Sequence, residues 1–67
     1  MLIVKLNKNE EENILNGFPW VYNNEVNNFI GEIKNGEVVI VVTYDNKFVG
    51  YGFLNINSKL MVRILSL

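Results

Sequence analysis

The stretch "GEVVIVVTYDNKFVGYGFL", Gly36 to Leu54, constrains the fold more than any other part of this chain. "EVVIVV" ends in an unbroken apolar run, the pattern of a strand buried on both faces at the centre of a core. "TYDNKF" then reads as a hairpin turn with Asp45 and Asn46 as central residues, because both tolerate positive φ. The chain returns as "KFVGYGFL", where Gly50 and Gly52 fall on the same face as Phe48 and Leu54. Two glycines on one strand face open room for another backbone or a bulky ring to approach. Trp20, the single tryptophan, either stacks on a base or, as the expectation favours, fills that room and plugs the core.

The flanking segments supply further short elements. "LIVKL", Leu2 to Leu6, is β-prone and ends at the polar Asn7-Lys8-Asn9. "NEEENILNG" predicts a helix of about two turns, with Asn9 as N-cap, Glu12 completing a capping box and Gly17 as the left-handed residue that ends it. A helix so short must rest on a sheet. Pro19 pushes Phe18 toward extended geometry and opens a strand through "PWVY". The Asn-rich "NNEVNN" has turn chemistry with Val26 as an anchor, and "FIGEIK" is either a short strand or an irregular connection. Asn35-Gly36 marks a tight turn, "NINS" another, and "KLMVRILSL" alternates Leu60, Val62 and Ile64 inward against Lys59, Met61 and Arg63. The expected fold class is mainly β with one short helix (α+β), a small, strongly curved pseudo-barrel of about five or six short strands.

A chain of 67 residues holds one domain and a modest core. Without cysteine or histidine it has no disulfide, thiol nucleophile, imidazole base or usual zinc ligand. No apolar run is long enough to span a bilayer and the N-terminus lacks a signal-peptide pattern, so a cytoplasmic location is the expectation. The net charge of −1 argues against a strong non-specific polyanion binder. Abundant Asn, Ile and Lys, no alanine and a single arginine point to an AT-rich, bacterial genome. The end, "RILSL", leaves Leu65 and Leu67 without a polar tail and reads as truncated, or as a strand that docks on another chain.

The carboxylates Glu10, Glu11, Glu12, Glu25, Glu32, Glu37 and Asp45 lie in polar contexts, and no phosphate-loop, dinucleotide or metal-ligand spacing is present. The glutamate run reads as a solvated helix start rather than a metal cluster. The chain alone is therefore expected to be no enzyme, with no catalytic or metal-binding residue. Gly17 ends the helix and can also bring its backbone against a phosphate, while Phe18 is an exposed stacking candidate. Arg63 and Lys59 share one strand face, and Lys5 and Lys8 lie on or just beyond the first strand. They would form a basic patch if those strands were neighbours, and scattered solvated lysines otherwise. Ser58 either caps its turn or meets a phosphate.

Taken in order, "NGFPWVY", "GEVVIVVTYDNKFVGYGFLNINS" and "LMVRIL" resemble the PUA domain that begins a family of bacterial ribosomal RNA large-subunit cytosine-5 methyltransferases. The matching residues are Gly17, Pro19, Trp20, Val21, Tyr22, Gly36, Val38, Asp45, Phe48, Gly50, Gly52, Ser58, Val62 and Arg63. Phe18 departs from the family's usual histidine, Asn16 from a common arginine, and Ile56 from proline or alanine. The family continues into an S-adenosylmethionine domain carrying the catalytic cysteines, which this chain lacks.

The resemblance implies that residues 1–67 form an RNA-binding PUA-like module that targets such a methyltransferase, without catalysis or a cofactor of its own. The implied RNA surface is Lys8, Gly17, Phe18, Lys59 and Arg63. Implied partners are structured RNA, ribosomal in origin, and a methyltransferase domain; a second copy of the chain is the partner that the apolar end suggests, and no membrane is expected because no apolar run is long enough to span one. The alternative is a structural or oligomerisation β-module that packs on another domain without touching RNA, favoured by the acidic pI and the apolar end. A small-ligand barrel is a third reading, for which no pocket is marked.

Overall fold

A computed structural model describes all residues, 1–67. In chain order the elements are β1 (Ile3–Leu6), α1 (Glu11–Leu15), β2 (Trp20–Tyr22), a single 3-10 turn (Asn23–Glu25), β3 (Val26–Ile30), β4 (Val38–Val42), β5 (Phe48–Leu54) and β6 (Leu60–Ser66). The strands form one six-stranded sheet in the order β2-β6-β5-β4-β1-β3, curled into a half-barrel. β1 runs parallel to β4, and every other pairing is antiparallel. The fold class expected from the sequence is the one observed.

Period-2 alternation sorts the strand residues into an inner and an outer set. The inner set is Val4, Leu6, Val21, Val39, Val41, Leu54 and Val62, joined by Leu2, Val49 and, from α1, Ile14. Each such side chain contributes roughly 1.5–3 kcal/mol when fully buried, so this small aliphatic cluster is the main source of stability. Curvature comes from register shifts at Lys5/Leu6, Val21/Tyr22, Val41/Val42 and Tyr51/Gly52, each of which bends its strand.

The core contains no buried aromatic ring, which corrects the expectation that Trp20 plugs it. Trp20 is 37% exposed, and its neighbour Val21 points inward instead. The space on the glycine face of β5 is taken by β6. A Cβ on Gly50 would collide with the Ser66 carbonyl, and one on Gly52 would collide with the Val62 side chain and crowd the Arg63 carbonyl. The glycines thus admit another backbone, one of the two occupants the sequence allowed.

Other local expectations shift for identifiable reasons. Asn9 adopts a left-handed φ of 68°, so Glu10 takes the N-cap position and no side chain caps the helix. The helix end follows the sequence: Gly17 has φ 98°, Phe18 N–H donates to the Asn13 carbonyl at 2.9 Å and Gly17 N–H to the Ile14 carbonyl at 3.0 Å. This double bond pattern is a Schellman closure. Asn27 and Asn28 lie in β3 rather than in a turn, because β1 offers that segment a pairing partner; the polar side chains suit an edge strand. In the hairpin only Asn46 takes positive φ, at 66°. Val38 is exposed and Ile40 half-buried, so β4 is central in the sheet yet covered on its inner face alone. Leu60 is exposed and Met61 packs on the core, the reverse of the expected alternation, where the Val21/Tyr22 register shift displaces the start of β6.

Candidate nucleic-acid interface

The loop from α1 to β2 is held at both ends. The Schellman bonds fix its start, and Ile64 N–H donating to the Pro19 carbonyl at 2.7 Å sews its end to β6. Between these anchors Gly17 has nothing within 4 Å of where a Cβ would stand, leaving its backbone open to an incoming group. Phe18 is exposed, and its ring meets Trp20 edge-on with centroids 5.4 Å apart. Beside the loop lies an open groove of about 530 Å³ lined by Asn13, Asn16, Gly17, Phe18, Tyr22 and Glu25. Amide groups and an aromatic wall dominate it.

From this corner a row of side chains crosses the outer sheet face. Trp20 pairs with Arg63, Arg63 with Phe53, and Phe53 with Val38 on four successive strands. Directly opposite residues share a face with stems about 5 Å apart. All four are exposed, and Tyr51 and Phe48 continue the aromatic surface on β5 with ring centroids 5.3 Å apart. Sequence reasoning missed these outward rings, although "GYGF" carried the signal: if its glycines face inward, Tyr51 and Phe53 must face outward.

The basic residues separate into two groups. Arg63 belongs to the row just described, and Lys59 stands exposed immediately before β6, its carbonyl accepting from Asn23 N–H at 2.8 Å. Lys8 and Lys5 instead lie over the Tyr44 ring, with Nζ 5.5 and 5.9 Å from its centroid. β1 and β6 are separated in the sheet by β4 and β5, so the condition for one continuous patch is not met. The structure therefore brings Gly17, Phe18 and Arg63 to the neighbourhood of β2 and β6, and places Lys8 away from them, in the turn beyond β1.

Acidic groups lie outside the strands, and one of them, Glu25, lines the groove beside the loop, where its Oε1 accepts from Tyr22 N–H at 2.7 Å. No Asp or Glu falls in any strand, and the only charged strand residues are Lys5 and Arg63. The carboxylates cluster at α1 and in the connections. Glu11 tucks one oxygen out of solvent without a partner, and no group of three acidic side chains is arranged to hold a metal ion. Ser58 Oγ accepts from Leu60 N–H at 3.1 Å, the turn-capping role.

A family model described as a PUA-like domain matches residues 4–67. The chain belongs to the PUA-like domain family. Ribosomal RNA large subunit methyltransferase I of Shewanella amazonensis is 33% identical to the PUA-like domain over 61 residues, or 91% of this chain. The aligned region spans 15% of that relative's length. Residues 4–67, the span of the family match, include the α1–β2 loop, the outer aromatic row and both ends of the basic distribution. No helix of the PUA-like domain is long and apolar enough to cross a membrane.

Proposed function

We propose that this PUA-like domain is an RNA-binding module, without catalysis or a cofactor of its own, that helps bring a ribosomal RNA methyltransferase to its substrate in the cytoplasm. The observation that carries the reading is the anchored α1–β2 loop, which presents an unobstructed Gly17 backbone and the exposed Phe18 ring beside the strand bearing Arg63. Gly17 N–H is engaged in closing the helix, so its part is to let a phosphate or sugar approach the bare backbone. Phe18 stacks, Arg63 neutralises a phosphate beside it, and Lys59, just before β6, neutralises another. Lys8, beside Tyr44, reaches a more distant phosphate of a folded RNA.

The name of the similar methyltransferase supports ribosomal RNA as the substrate class. With six Lys and Arg in all, the domain supplies modest affinity, and a linked catalytic domain adds the rest through effective concentration. Structured RNA, read by shape and backbone, suits so sparse a set of cations. Titration of the protein with a ribosomal RNA hairpin, followed by amide shifts, tests the reading.

A second reading has a specific observation behind it. Ile30, Val38, Leu65 and Leu67 are all exposed, and a docking or self-association surface would cover them. Sedimentation distinguishes the two, because self-association predicts a species heavier than the monomer without RNA.

A further inference from the structure

We infer that the outer face of the sheet, centred on Trp20, Arg63 and Phe53, is a stacking platform for unpaired bases of single-stranded RNA; this deepens the RNA-binding reading above and rests on it. The register alone establishes the arrangement. β2, β6 and β5 are neighbours, and Trp20, Arg63 and Phe53 are directly opposite one another, so an indole, a guanidinium and a phenyl ring emerge side by side. Phe18 extends the row beyond Trp20, and Tyr51 and Phe48 extend it along β5.

These rings are not spent on the fold. Seven of the eight aromatic side chains are exposed, and the core is built from valine, leucine and isoleucine alone. Aromatic rings normally carry most of the burial in a small domain, so a sheet that turns them outward leaves their stacking capacity for something else. Every nucleobase offers a π-face, which makes an aromatic surface tolerant of sequence.

Charge then selects among occupants. Lys5 and Arg63 are the only charged residues in any strand, both are cationic, and no carboxylate lies in a strand. The acidic pI is therefore a property of the helix and connections, and the sheet is locally positive. Protein interfaces too are rich in aromatic residues and arginine; what selects a polyanion here is that both strand charges are cationic and that the arginine stands at the middle of the aromatic row with no carboxylate in any strand. A ribose-phosphate chain following its stacked bases would place a phosphate within reach of that guanidinium. Duplex RNA is the wrong occupant, because its bases are stacked on one another and present only edges and backbone.

Trp20, as the only tryptophan, is a built-in reporter. Titration of the full chain with decauridylate, monitored by Trp20 fluorescence, is expected to show saturable quenching. Phe53→Ala should weaken that binding about tenfold, with Phe53→Tyr restoring it and Phe53→Leu failing to do so. Thermal melts of the three variants separate loss of the ring from loss of the fold. Hairpin binding followed by amide shifts is run in parallel. If the hairpin shifts Gly17 and Phe18 while decauridylate leaves Trp20 and the β5 amides unchanged, the platform is wrong and RNA binding stands. If neither RNA binds, both readings fall together. If the RNA-free protein sediments as a dimer that shields Trp20 from acrylamide, the face is a protein interface and the inference is overturned.

Discussion

Gly52 leaves the space into which Val62 projects from the adjacent strand: a Cβ at that position would collide with the valine side chain and stand 3.1 Å from the Arg63 carbonyl. This close approach draws β6 onto β5. It lets Val62 complete the inner wall and sets Arg63 on the outer one, so a packing constraint decides where the cation proposed to meet RNA stands.

Gly52→Ala is therefore expected to destabilise the domain by about 1–3 kcal/mol, since both obstacles belong to a paired strand and its buried side chain. In a domain this size that lowers Tm by roughly 5–20 °C, measured by circular dichroism. Gly17→Ala should cost about 1 kcal/mol for a different reason, because its surroundings are open and only the positive φ is strained.

Trp20 and Leu54 invert the usual size ranking. Leu54 is fully buried, and Leu54→Ala should cost about 2–5 kcal/mol. Trp20→Ala, at an exposed position, should cost about 1 kcal/mol or less. Urea denaturation of the two variants checks the order, and a larger loss for Trp20 would return the indole to the core.

Asn46 sits at φ 66° in the β4–β5 hairpin, where its N–H donates to the Thr43 carbonyl at 2.9 Å. Asn46→Gly is expected to leave stability within about 0.5 kcal/mol of the parent, while Asn46→Val loses about 1–2 kcal/mol to left-handed strain. Thermal melts of the pair test whether backbone conformation governs this turn.

Arg63→Ala should weaken binding to a ribosomal RNA hairpin and reduce the slope of log K against log salt by about 1, the signature of one lost phosphate contact. Lys34→Ala, in the connection before β4, should leave that slope unchanged. Fluorescence anisotropy at several salt concentrations makes the comparison.

How much of this was legible in the sequence depends on the range of the interaction. The helix end at Gly17 was readable because a Schellman closure is local, and the Asn35-Gly36 turn was readable for the same reason. The outward turn of Trp20 was not, and that of Phe53 was readable only on the condition that the glycine face of β5 is the covered one. Alternation says which residues share a face, but it leaves open which face is covered, and that is decided by the approach of β6 to Gly50 and Gly52. Asn27 and Asn28 have little intrinsic preference for a strand, and their pairing with β1 comes from tertiary contact. The candidate RNA residues were separable only once strand order was known, since the placement of β4 and β5 between β1 and β6 parts Lys8 from Arg63.

The central claim, that the α1–β2 loop and the adjoining part of β6 engage RNA, is tested most directly by amide chemical shifts of the protein titrated with a ribosomal RNA hairpin at low and moderate salt. The account predicts shifts concentrated at Gly17, Phe18, Lys59 and Arg63, with a weaker response at Lys8, all fading as salt rises. An unchanged spectrum at low salt, or shifts confined to residues away from β2 and β6, would contradict it.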